Sequence, residues 1–417
     1  MRAVKMEILI IAPFFPYPLR AGGEVRLYHF IRLLSERHRV SLLSPIVEGD
    51  QKWIGALKGL GAQVEAVAVK MPEKAGSLTP QRLIRWGPRI GKMLRGMPFD
   101  VARFYLPRVA DRLSSLLQRQ SFDVIHQEYM FMGSYLDRLG RKIGRARTVL
   151  GEIDLSFVPL YREFQVRRGV FRAGAYLRYF SMRNYAIKVW NKFDLIVTAS
   201  ETDKGKILRY APNRKVAVIP NGVDIDYFRP AEEAPAGPSG NELVFVGSLR
   251  YSPNVDAVRY FCREILPYVR MRRPEATLTV IGADAPEGLA QELPGFVRLT
   301  GYLEDIRPCV TQSAVFVVPL RVGGGTRLKI LEAMAMGIPV VSTPVGYEGI
   351  DAIPGKDLVA ARNPQEFAEG VVGLMEQGER RREIARNGLA LVRKNYSWEA
   401  IGKKLNRVYE EEVAAVS

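Results

Sequence analysis

The sequence predicts an α/β protein built from two Rossmann-like domains, each a parallel sheet covered by helices. Short apolar runs alternate along the chain with amphipathic stretches, which is the pattern of repeated strand–helix units. The runs are continuous in Val, Ile and Leu, as expected of strands buried on both faces. Residues 229–241, RPAEEAPAGPSGN, interrupt the alternation, and their Pro, Gly and acidic content is typical of a linker.

Seven apolar runs precede this linker and six follow it. In chain order they are MEILIIAP, HRVSLLS, AQVEAVAV, FDVIHQE, RTVLGEI, DLIVTAS and VAVIP, then ELVFVGSL, ATLTVIGA, VRLTGYL, AVFVVPL, PVVSTPV and DLVAA. We therefore expect an N-terminal domain over residues 1–222, a C-terminal domain over residues 223–395, and a final amphipathic helix over residues 396–417.

Length and composition agree with this architecture. The 417 residues are enough for two domains with a core each, and no apolar run approaches the ~20 residues of a membrane helix. Cys262 and Cys309 form no spaced cluster, which indicates a reducing compartment without a structural metal. The apolar start of the chain is short and runs into prolines, so we interpret it as a first buried strand rather than a signal peptide, and we expect a cytoplasmic protein.

The basic charge is concentrated in the first half, where residues 1–222 hold 38 of the 61 Lys and Arg but only 18 of the 44 Asp and Glu. Residues 81–96, QRLIRWGPRIGKMLRG, and residues 164–185, FQVRRGVFRAGAYLRYFSMRNY, mix basic with apolar side chains. Such segments suit an anionic membrane surface, although arginines on an ordinary solvated helix give the same pattern. No nucleic-acid-binding module is recognisable in the sequence, so nucleic acid is not an expected partner.

Ligands of parallel sheets bind beyond the carboxyl ends of the strands, so the turns there are the places to look for chemistry. Gly22 and Gly23 follow the first strand and precede a helical stretch, an arrangement that suits either an anion site or a plain tight turn. His126 ends a later strand with Glu128 two residues on, and Glu152 ends the next strand. These side chains are candidates for the reacting cleft, although carboxylates at strand ends are often helix N-caps.

Residues 321–349, RVGGGTRLKILEAMAMGIPVVSTPVGYEG, carry the strongest signal. Three glycines separate the strand AVFVVPL from a helical stretch, and the free N–H groups and positive dipole end of a helix start favour a phosphate. Thr326, Arg327 and Lys329 add a hydroxyl and two cations that suit a diphosphate. Glu332, one turn further, can accept both hydroxyls of a ribose. Packing alone also produces glycine-rich turns of this kind.

This stretch closely resembles the nucleotide-sugar site of the retaining glycosyltransferases of family 4, which have the GT-B fold. The resemblance covers nearly the whole chain and is most specific in KILEAMAMGIPVV (329–341) and IPNGVD (219–224). It implies two Rossmann-like domains facing across a cleft, with the C-terminal helix crossing back to the first domain. It also implies a nucleotide-diphosphate sugar as the donor substrate and no cofactor.

The resemblance assigns roles to individual residues. Glu332 matches the second glutamate of the family's Glu-x7-Glu pattern, and we expect it to bind the ribose. The loop of Gly22 and Gly23 is expected to close over the donor phosphates, and His126 to contact the donor sugar. Leu303, in GYLEDIRPCV, is expected to border the nucleotide base. Glu128 and Glu152 then remain as candidates for the acceptor side.

Two loops depart from the family pattern. Gly324 stands eight residues before Glu332, where relatives have the first glutamate, which touches the donor sugar. Ser248 and Asn254 stand where typical members place an arginine and a lysine that hold the diphosphate. We expect Arg327 and Lys329, with Arg250 and the backbone of Gly324 and Gly325, to bind the diphosphate instead.

No metal is expected at this site. Asp224 and Asp226 form an Asp-x-Asp pair that resembles the metal motif of the GT-A fold. The pair lies in the connector between the domains, and enzymes of the GT-B fold generally need no metal at the diphosphate.

The sequence therefore predicts a retaining, metal-independent glycosyltransferase of the hexosyltransferase type, with His126, Arg327 and Lys329 as catalytic residues. The expected acceptor is a saccharide or a lipid-linked saccharide in the synthesis of cell-surface polysaccharide or glycoconjugate, at the inner face of the membrane. Two alternatives stay open. A sugar-nucleotide epimerase of the same fold would convert the donor without an acceptor, and a nucleotide-binding protein without transferase activity would fit the glycine at position 324.

Overall fold

The computed structural model describes residues 5–70, 96–139, 143–231 and 240–413. The chain divides into a first unit, Met1–Ile219 with Gly402–Ser417, and a second unit, Pro220–Ile401. Each unit has one parallel sheet, which confirms the predicted pair of Rossmann-like domains. Residues 232–239 of the predicted linker and residues 81–95 of the predicted basic segment lie outside the described residues.

The first unit is a seven-stranded parallel sheet with the order β3-β2-β1-β4-β5-β6-β7. Its strands are β1 (Glu7–Ile11), β2 (Arg39–Val47), β3 (Gln63–Val69), β4 (Val124–Glu128), β5 (Arg147–Glu152), β6 (Leu195–Thr198) and β7 (Val216–Val218). Its helices are α1 (Gly22–Ser35), α2 (Ile54–Lys58), α3 (Phe99–Ala102), α4 (Pro107–Arg119), α5 (Leu136–Leu139), α6 (Phe157–Val166), α7 (Gly169–Trp190) and α8 (Glu201–Tyr210). The predicted apolar runs coincide with these strands, and β1, β4 and β5 are buried at nearly every position, as expected of strands covered on both faces.

The second unit is a six-stranded parallel sheet with the order β10-β9-β8-β11-β12-β13. Its strands are β8 (Glu242–Val246), β9 (Thr277–Ile281), β10 (Val297–Gly301), β11 (Val315–Val318), β12 (Val340–Ser342) and β13 (Val359–Ala360). Its helices are α9 (Ser252–Tyr260), α10 (Leu266–Arg272), α11 (Leu289–Glu292), α12 (Arg307–Thr311), α13 (Leu328–Ala335), α14 (Pro364–Glu376) and α15 (Gly378–Asn395).

The last helix, α16 (Trp398–Val408), starts in the second unit, and its residues from Gly402 onward belong to the first. A Cβ at Gly402 would lie 2.7 Å from Leu33 Cδ2, so the missing side chain lets α16 pack closely on α1. The π-helical turn Tyr409–Val413 continues the chain, and Tyr409 is fully buried. The C-terminal segment is therefore part of the core of the first unit.

Strand order reverses direction once in each sheet, between β1 and β4 in the first unit and between β8 and β11 in the second. At such a switch point the loops leave neighbouring strands in opposite directions and open a crevice at the carboxyl edge. Most of the residues selected from the sequence lie in β4 or in the loops and first helical turns that follow β1, β8 and β11.

Candidate functional site

At the switch point of the second unit, the loop after β8 and the glycine-rich loop after β11 come together. Lys329 Nζ, in the first turn of α13, lies 3.0 Å from Asn254 Oδ1 on α9. Asn254 Nδ2 in turn donates to the carbonyl oxygen of Ser248, at 2.8 Å, in the loop after β8. The cation predicted on the glycine loop thus stands beside the two polar residues that replace the usual arginine and lysine.

Gly247, directly after β8, makes room for this contact. A Cβ built at Gly247 would lie 2.5 Å from Lys329 Nζ and 2.8 Å from Asn254 Nδ2, closer than real Cβ contacts come. Lys329 Nζ also lies 4.5 Å from the ring centroid of Phe245, whose face attracts a cation. The backbone at Gly247 and the ring of Phe245 therefore fix the position of the ammonium group.

The start of α13 has the features of an anion site. Its N-cap position, Arg327, makes no side-chain capping hydrogen bond, so the first helical N–H groups are not capped by it. The hydroxyl of Thr326 is buried and has no hydrogen-bond partner among the described residues. A buried hydroxyl without a partner costs free energy, and an anionic ligand at the helix start would satisfy it.

Arg327 is folded into the glycine loop. Its guanidinium donates to the carbonyl oxygens of Gly324 and Gly325, and its side chain is almost fully buried. Gly323 has φ 143° and a Cβ there would lie 2.5 Å from Arg327 Nη2, so only glycine fits at this position. In this arrangement Arg327 holds the loop in shape, and its contact with a diphosphate stays a prediction.

Lys329 and Glu332 are titratable groups with opposite, burial-driven shifts. Burial lowers the pKa of Lys329 to about 7, with the charge of Arg327 adding to the effect and Glu332 opposing it. Burial raises the pKa of Glu332 to about 7, and the charge of Lys329 opposes that rise. Both groups can therefore gain or lose a charge near neutral pH when a ligand arrives, as is common at functional sites.

The other predicted residues of the second unit are more peripheral. Arg250 is exposed in the loop after β8, and Leu303 packs partly against the apolar core. Asp224 Oδ1 accepts the N–H groups of Asp226 and Tyr227, at 3.1 and 2.9 Å, so this carboxylate is used in a local turn. In the described ranges, no three His, Cys, Asp or Glu side chains are grouped as metal ligands.

In the first unit, His126 lies in a closed polar cluster. Its Nδ1 is 2.5 Å from the hydroxyl of Tyr409, and its Nε2 is 3.1 Å from Glu128 Oε1. All three side chains are at most 1% exposed. Both contacts are satisfied when Tyr409 donates to Nδ1 and the Nε2–H donates to Glu128. Both ring nitrogens are therefore occupied by protein groups, and the predicted contact of His126 with a donor sugar remains a prediction.

Arg26 supplies positive charge to the same cluster from α1. Its side chain is 1% exposed and lies over Phe30, and burial lowers its pKa to about 10 although Glu128 opposes the shift. Burial acts to raise the pKa of Glu128, but the hydrogen bond from His126 and the charge of Arg26 hold that pKa below its usual value. Glu128 is thus an ionised carboxylate inside the protein, balanced by a buried cation.

Two glycines, Gly23 and Gly151, and a further carboxyl group, that of Glu152, lie at the same edge of the sheet. A Cβ at Gly151 would lie 2.5 Å from Glu128 Oε2, and a Cβ at Gly23 would lie close to the hydroxyl of Tyr129. Gly22 and Gly23 begin α1, where Glu24 accepts the N–H groups just before the helix. Glu152 is buried at the end of β5, and burial and the charge of Asp154 raise its pKa far above the usual range. This environment therefore favours the neutral form of its carboxyl group.

Sequence reasoning missed several of these residues. Arg26 had a signal, because it stands four residues before Phe30 and so falls on the apolar stripe of α1. Gly247 and Gly151 each stand at or beside a strand end, where a missing Cβ often allows a close approach. Tyr409 had no local signal, since its partner lies 283 residues away.

We expect Gly247→Ala to weaken nucleotide binding on the order of tenfold, because the added methyl group would push Lys329 and Asn254 out of contact. The φ angle of Gly247 is not in the left-handed region, so the fold should be kept. Calorimetric titration measures the effect. Gly295→Ala is the matched control, since a Cβ there meets nothing within 4 Å. Equal affinity in the two variants would contradict the role of this contact.

We expect Tyr409→Phe to lower the free energy of unfolding by about 1–3 kcal/mol, because it leaves the buried Nδ1 of His126 without its donor. Urea unfolding followed by circular dichroism measures this loss. Tyr302→Phe, at a side chain that is 75% exposed, should change nothing. Equal stability of the two variants would show that the hydroxyl of Tyr409 contributes nothing to the cluster.

Comparison with solved structures identifies the fold. The chain is similar to sucrose-phosphate synthase from Thermosynechococcus elongatus, with a TM-score of 0.71, 16% identity, and 98% of this chain and 100% of the other covered. It is also similar to HepE of Anabaena, solved with UDP and glucose, with a TM-score of 0.65, 16% identity, and 97% and 99% covered. The two parallel-sheet units thus have the GT-B glycosyltransferase fold.

Two family profiles cover most of the chain, Glycosyltransferase Family 4 over residues 20–227 and Glycosyl transferases group 1 over residues 240–377. The chain belongs to glycosyltransferase family 4. Phosphatidyl-myo-inositol mannosyltransferase of Mycobacterium tuberculosis is 30% identical over 208 residues, which are 46% of this chain and 53% of that protein. The chain spans about half the length of the curated relatives it matches. Of the helices that the structure describes, none has the length and apolar content needed to cross a bilayer.

Proposed function

We propose that the protein is a retaining, metal-independent glycosyltransferase that moves a sugar from a nucleotide-diphosphate donor to a saccharide or lipid-linked saccharide. The bond between the anomeric carbon and the β-phosphate oxygen breaks, and a bond to an acceptor oxygen forms on the same face. The departing diphosphate takes the acceptor proton. The task of the protein is then to hold the diphosphate, stabilise its developing charge and exclude water.

The contact of Lys329 with Asn254 carries this proposal. It places an ammonium group at the switch point of the second unit, beside the start of α13 and the unpartnered hydroxyl of Thr326. An ammonium group, a hydroxyl and the free N–H groups of a helix start are together the donors that a diphosphate requires. Family 4 membership makes a nucleotide sugar the expected source of that diphosphate.

Glu332 is proposed to hold the ribose. It lies one helical turn beyond Lys329 on α13 and retains some exposure to solvent. A carboxylate accepts hydrogen bonds from two neighbouring hydroxyl groups, and these are stronger than bonds between neutral groups. Glu332 therefore adds affinity for the nucleoside without contacting the reacting bond.

The acceptor side of the proposal rests on the first unit and on the relatives. The mannosyltransferase of Mycobacterium tuberculosis carries a phosphatidyl-inositol acceptor in its name. A lipid-linked acceptor would bring the protein to the inner face of a membrane, in agreement with the basic character of residues 1–222. Glu128 and Glu152 remain the candidate acceptor-side residues of this unit.

Calorimetric titration with UDP, GDP and ADP, and then with their sugar conjugates, tests the donor site without added metal. Saturable binding of one nucleotide is expected, and Lys329→Met should weaken it more than Arg380→Gln, an exposed charge on α15. Failure of all three nucleotides to bind would overturn the site.

A second experiment separates the transferase from its alternatives. Incubation of the protein with the bound nucleotide sugar, with and without pooled saccharide acceptors, is followed by NMR. A product with the anomeric configuration of the donor, formed only with an acceptor, is expected. Conversion of the donor sugar without an acceptor would favour an epimerase, and binding without any turnover would favour a silent nucleotide-binding protein.

A further inference from the structure

Large apolar side chains are exposed together on α6 and α7 of the first unit. Among the described residues, thirteen large apolar side chains are exposed, and five of them lie on these two helices. They are Tyr161 (42% exposed), Phe171 (71%), Tyr176 (44%), Leu177 (66%) and Phe180 (41%). We name this set, with the exposed arginines Arg168, Arg172 and Arg178, the α6–α7 face. A contiguous apolar patch on a protein surface usually marks a contact site.

The burial pattern of α7 shows which of its faces the fold uses. Its buried residues are Ala175, Tyr179, Met182, Tyr185, Ala186, Val189 and Trp190, a single stripe that packs on the core. Residues 171–174, at the amino-terminal end, are all exposed. The ring of Phe164 on α6 packs at a tilt against Tyr161 of the same helix and against Tyr176 of α7, with centroid distances of 6.1 and 5.3 Å. The exposed rings are thus held on a rigid helix pair.

The same helices are strongly basic. Residues 157–190 contain seven Lys and Arg and one acidic residue, Glu163. Glu163 already pairs with Arg167 at 3.0 Å and with Arg178 at 3.7 Å. The guanidinium of Arg172 lies over Phe164, and that of Arg183 lies over Phe180, so cations and aromatic rings are interleaved. The partner of this face must therefore combine apolar groups with negative charge.

We propose that the α6–α7 face docks on an anionic phospholipid bilayer, with Phe171 and Leu177 in the acyl-chain boundary and the arginines among the headgroups. Aromatic and apolar side chains flanked by arginines are the composition of helices that lie in a bilayer interface. The helix α7 has 22 residues but is not apolar enough to cross a bilayer. This docking surface rests on the proposed function, because a lipid-linked acceptor lies in a membrane. Its test measures vesicle binding and not glycosyl transfer, so the docking proposal and the proposed function can fail separately.

Co-sedimentation with vesicles tests the docking surface. The full chain is mixed with vesicles of phosphatidylcholine alone and of phosphatidylcholine with phosphatidylglycerol. Binding to the anionic vesicles that weakens as salt is raised is expected. Arg168→Gln with Arg172→Gln should weaken it on the order of tenfold. Arg380→Gln with Arg382→Gln removes the same charge from α15 and should leave it unchanged.

The apolar part is tested in the same way. Phe171→Ser with Leu177→Ser should weaken vesicle binding on the order of tenfold, because both side chains are more than 60% exposed and contribute little to folding. Met271→Ser with Ile353→Ser, at side chains that are 77% and 55% exposed in the second unit, is the matched control. In the Phe171→Trp variant, the fluorescence of the introduced tryptophan should be quenched by vesicles whose lipids are brominated on their acyl chains.

Two results would overturn the proposal. One is vesicle binding that the control variants weaken as much as the variants of the α6–α7 face do. Such binding would reflect net charge or general hydrophobicity. The other is absence of vesicle binding together with self-association, seen in sedimentation velocity, that Phe171→Ser with Leu177→Ser removes. In that case the face would be an interface with a second copy of this chain.

Discussion

Replacing Glu332 with Gln is expected to weaken nucleotide binding between about tenfold and a hundredfold and, at the same time, to stabilise the second unit. The loss of affinity follows from the loss of the carboxylate that we propose to accept hydrogen bonds from both ribose hydroxyls. The gain in stability follows from burial, which raises the pKa of Glu332 to about 7 in the folded protein. The wild-type protein must ionise a carboxyl group in a place that disfavours the charge.

The pH dependence of this gain has a definite sign. In the unfolded chain a glutamate ionises near its ordinary pKa of about 4.3. The folded protein holds the proton up to about pH 7, so stability falls as pH rises between these two values. The Glu332→Gln variant has no carboxyl group at this position, so its stability does not fall in this way. Its advantage should be absent below about pH 4 and reach about 3–4 kcal/mol above pH 7, at about 1.4 kcal/mol for each unit of pKa difference.

Thermal unfolding from pH 4 to pH 8 measures the stability, and calorimetry with the nucleotide measures the affinity. Glu369→Gln, at an exposed position of α14, is the control and should change neither quantity. Unchanged affinity in Glu332→Gln would remove Glu332 from the ribose site. Reduced affinity with unchanged stability would show that the Lys329 charge fully compensates the burial of the carboxylate.

The strands were predictable from sequence because their burial leaves a local trace. All thirteen apolar runs became strands, since a strand covered on both faces is apolar at every position. The helix start after the glycine loop was also local, because the glycines and the apolar spacing that follows them lie within one short stretch. Lys329 and Glu332 could therefore be selected before any contact was known.

The partners of the selected residues were not predictable in the same way. Asn254 lies 75 residues from Lys329 in sequence, and its role as the hydrogen-bond acceptor depends on how α9 and α13 pack. The sequence also does not determine the direction of the Arg327 guanidinium. In the structure it points toward the carbonyl groups of its own loop and not outward. In both cases the residue could be selected from the sequence, while the direction of its side chain is given only by the structure.

His126 also separates what the local sequence predicts from what the packing of distant segments determines. The sequence predicts it at the end of a strand, whereas β4 continues two residues beyond it, to Glu128. Its contact with Tyr409 depends on the chain returning from the second unit and adding its last turns to the core of the first. Any role of His126 in sugar binding would therefore be linked to the packing of the C-terminal segment.

The affinity for the nucleotide diphosphate is expected to fall as pH rises above about 7. Burial lowers the pKa of Lys329 to about 7, so in the free protein this group loses its proton above that pH. A bound diphosphate favours the charged form and raises the pKa, so binding above pH 7 must take up a proton. Up to the raised pKa of the complex, affinity should fall by as much as tenfold per pH unit.

Titrations between pH 6 and pH 9, in buffers of different ionisation enthalpy, measure both the affinity and the proton uptake. Lys329→Met should bind more weakly at pH 6 and should show neither the fall in affinity nor the uptake. Uptake that persists in Lys329→Met would assign the proton to another group, such as the nucleotide phosphate. Affinity that is independent of pH in the wild-type protein would mean that Lys329 stays charged without a ligand. The cation would then be stabilised by its contacts with Asn254 and Phe245 rather than by the substrate.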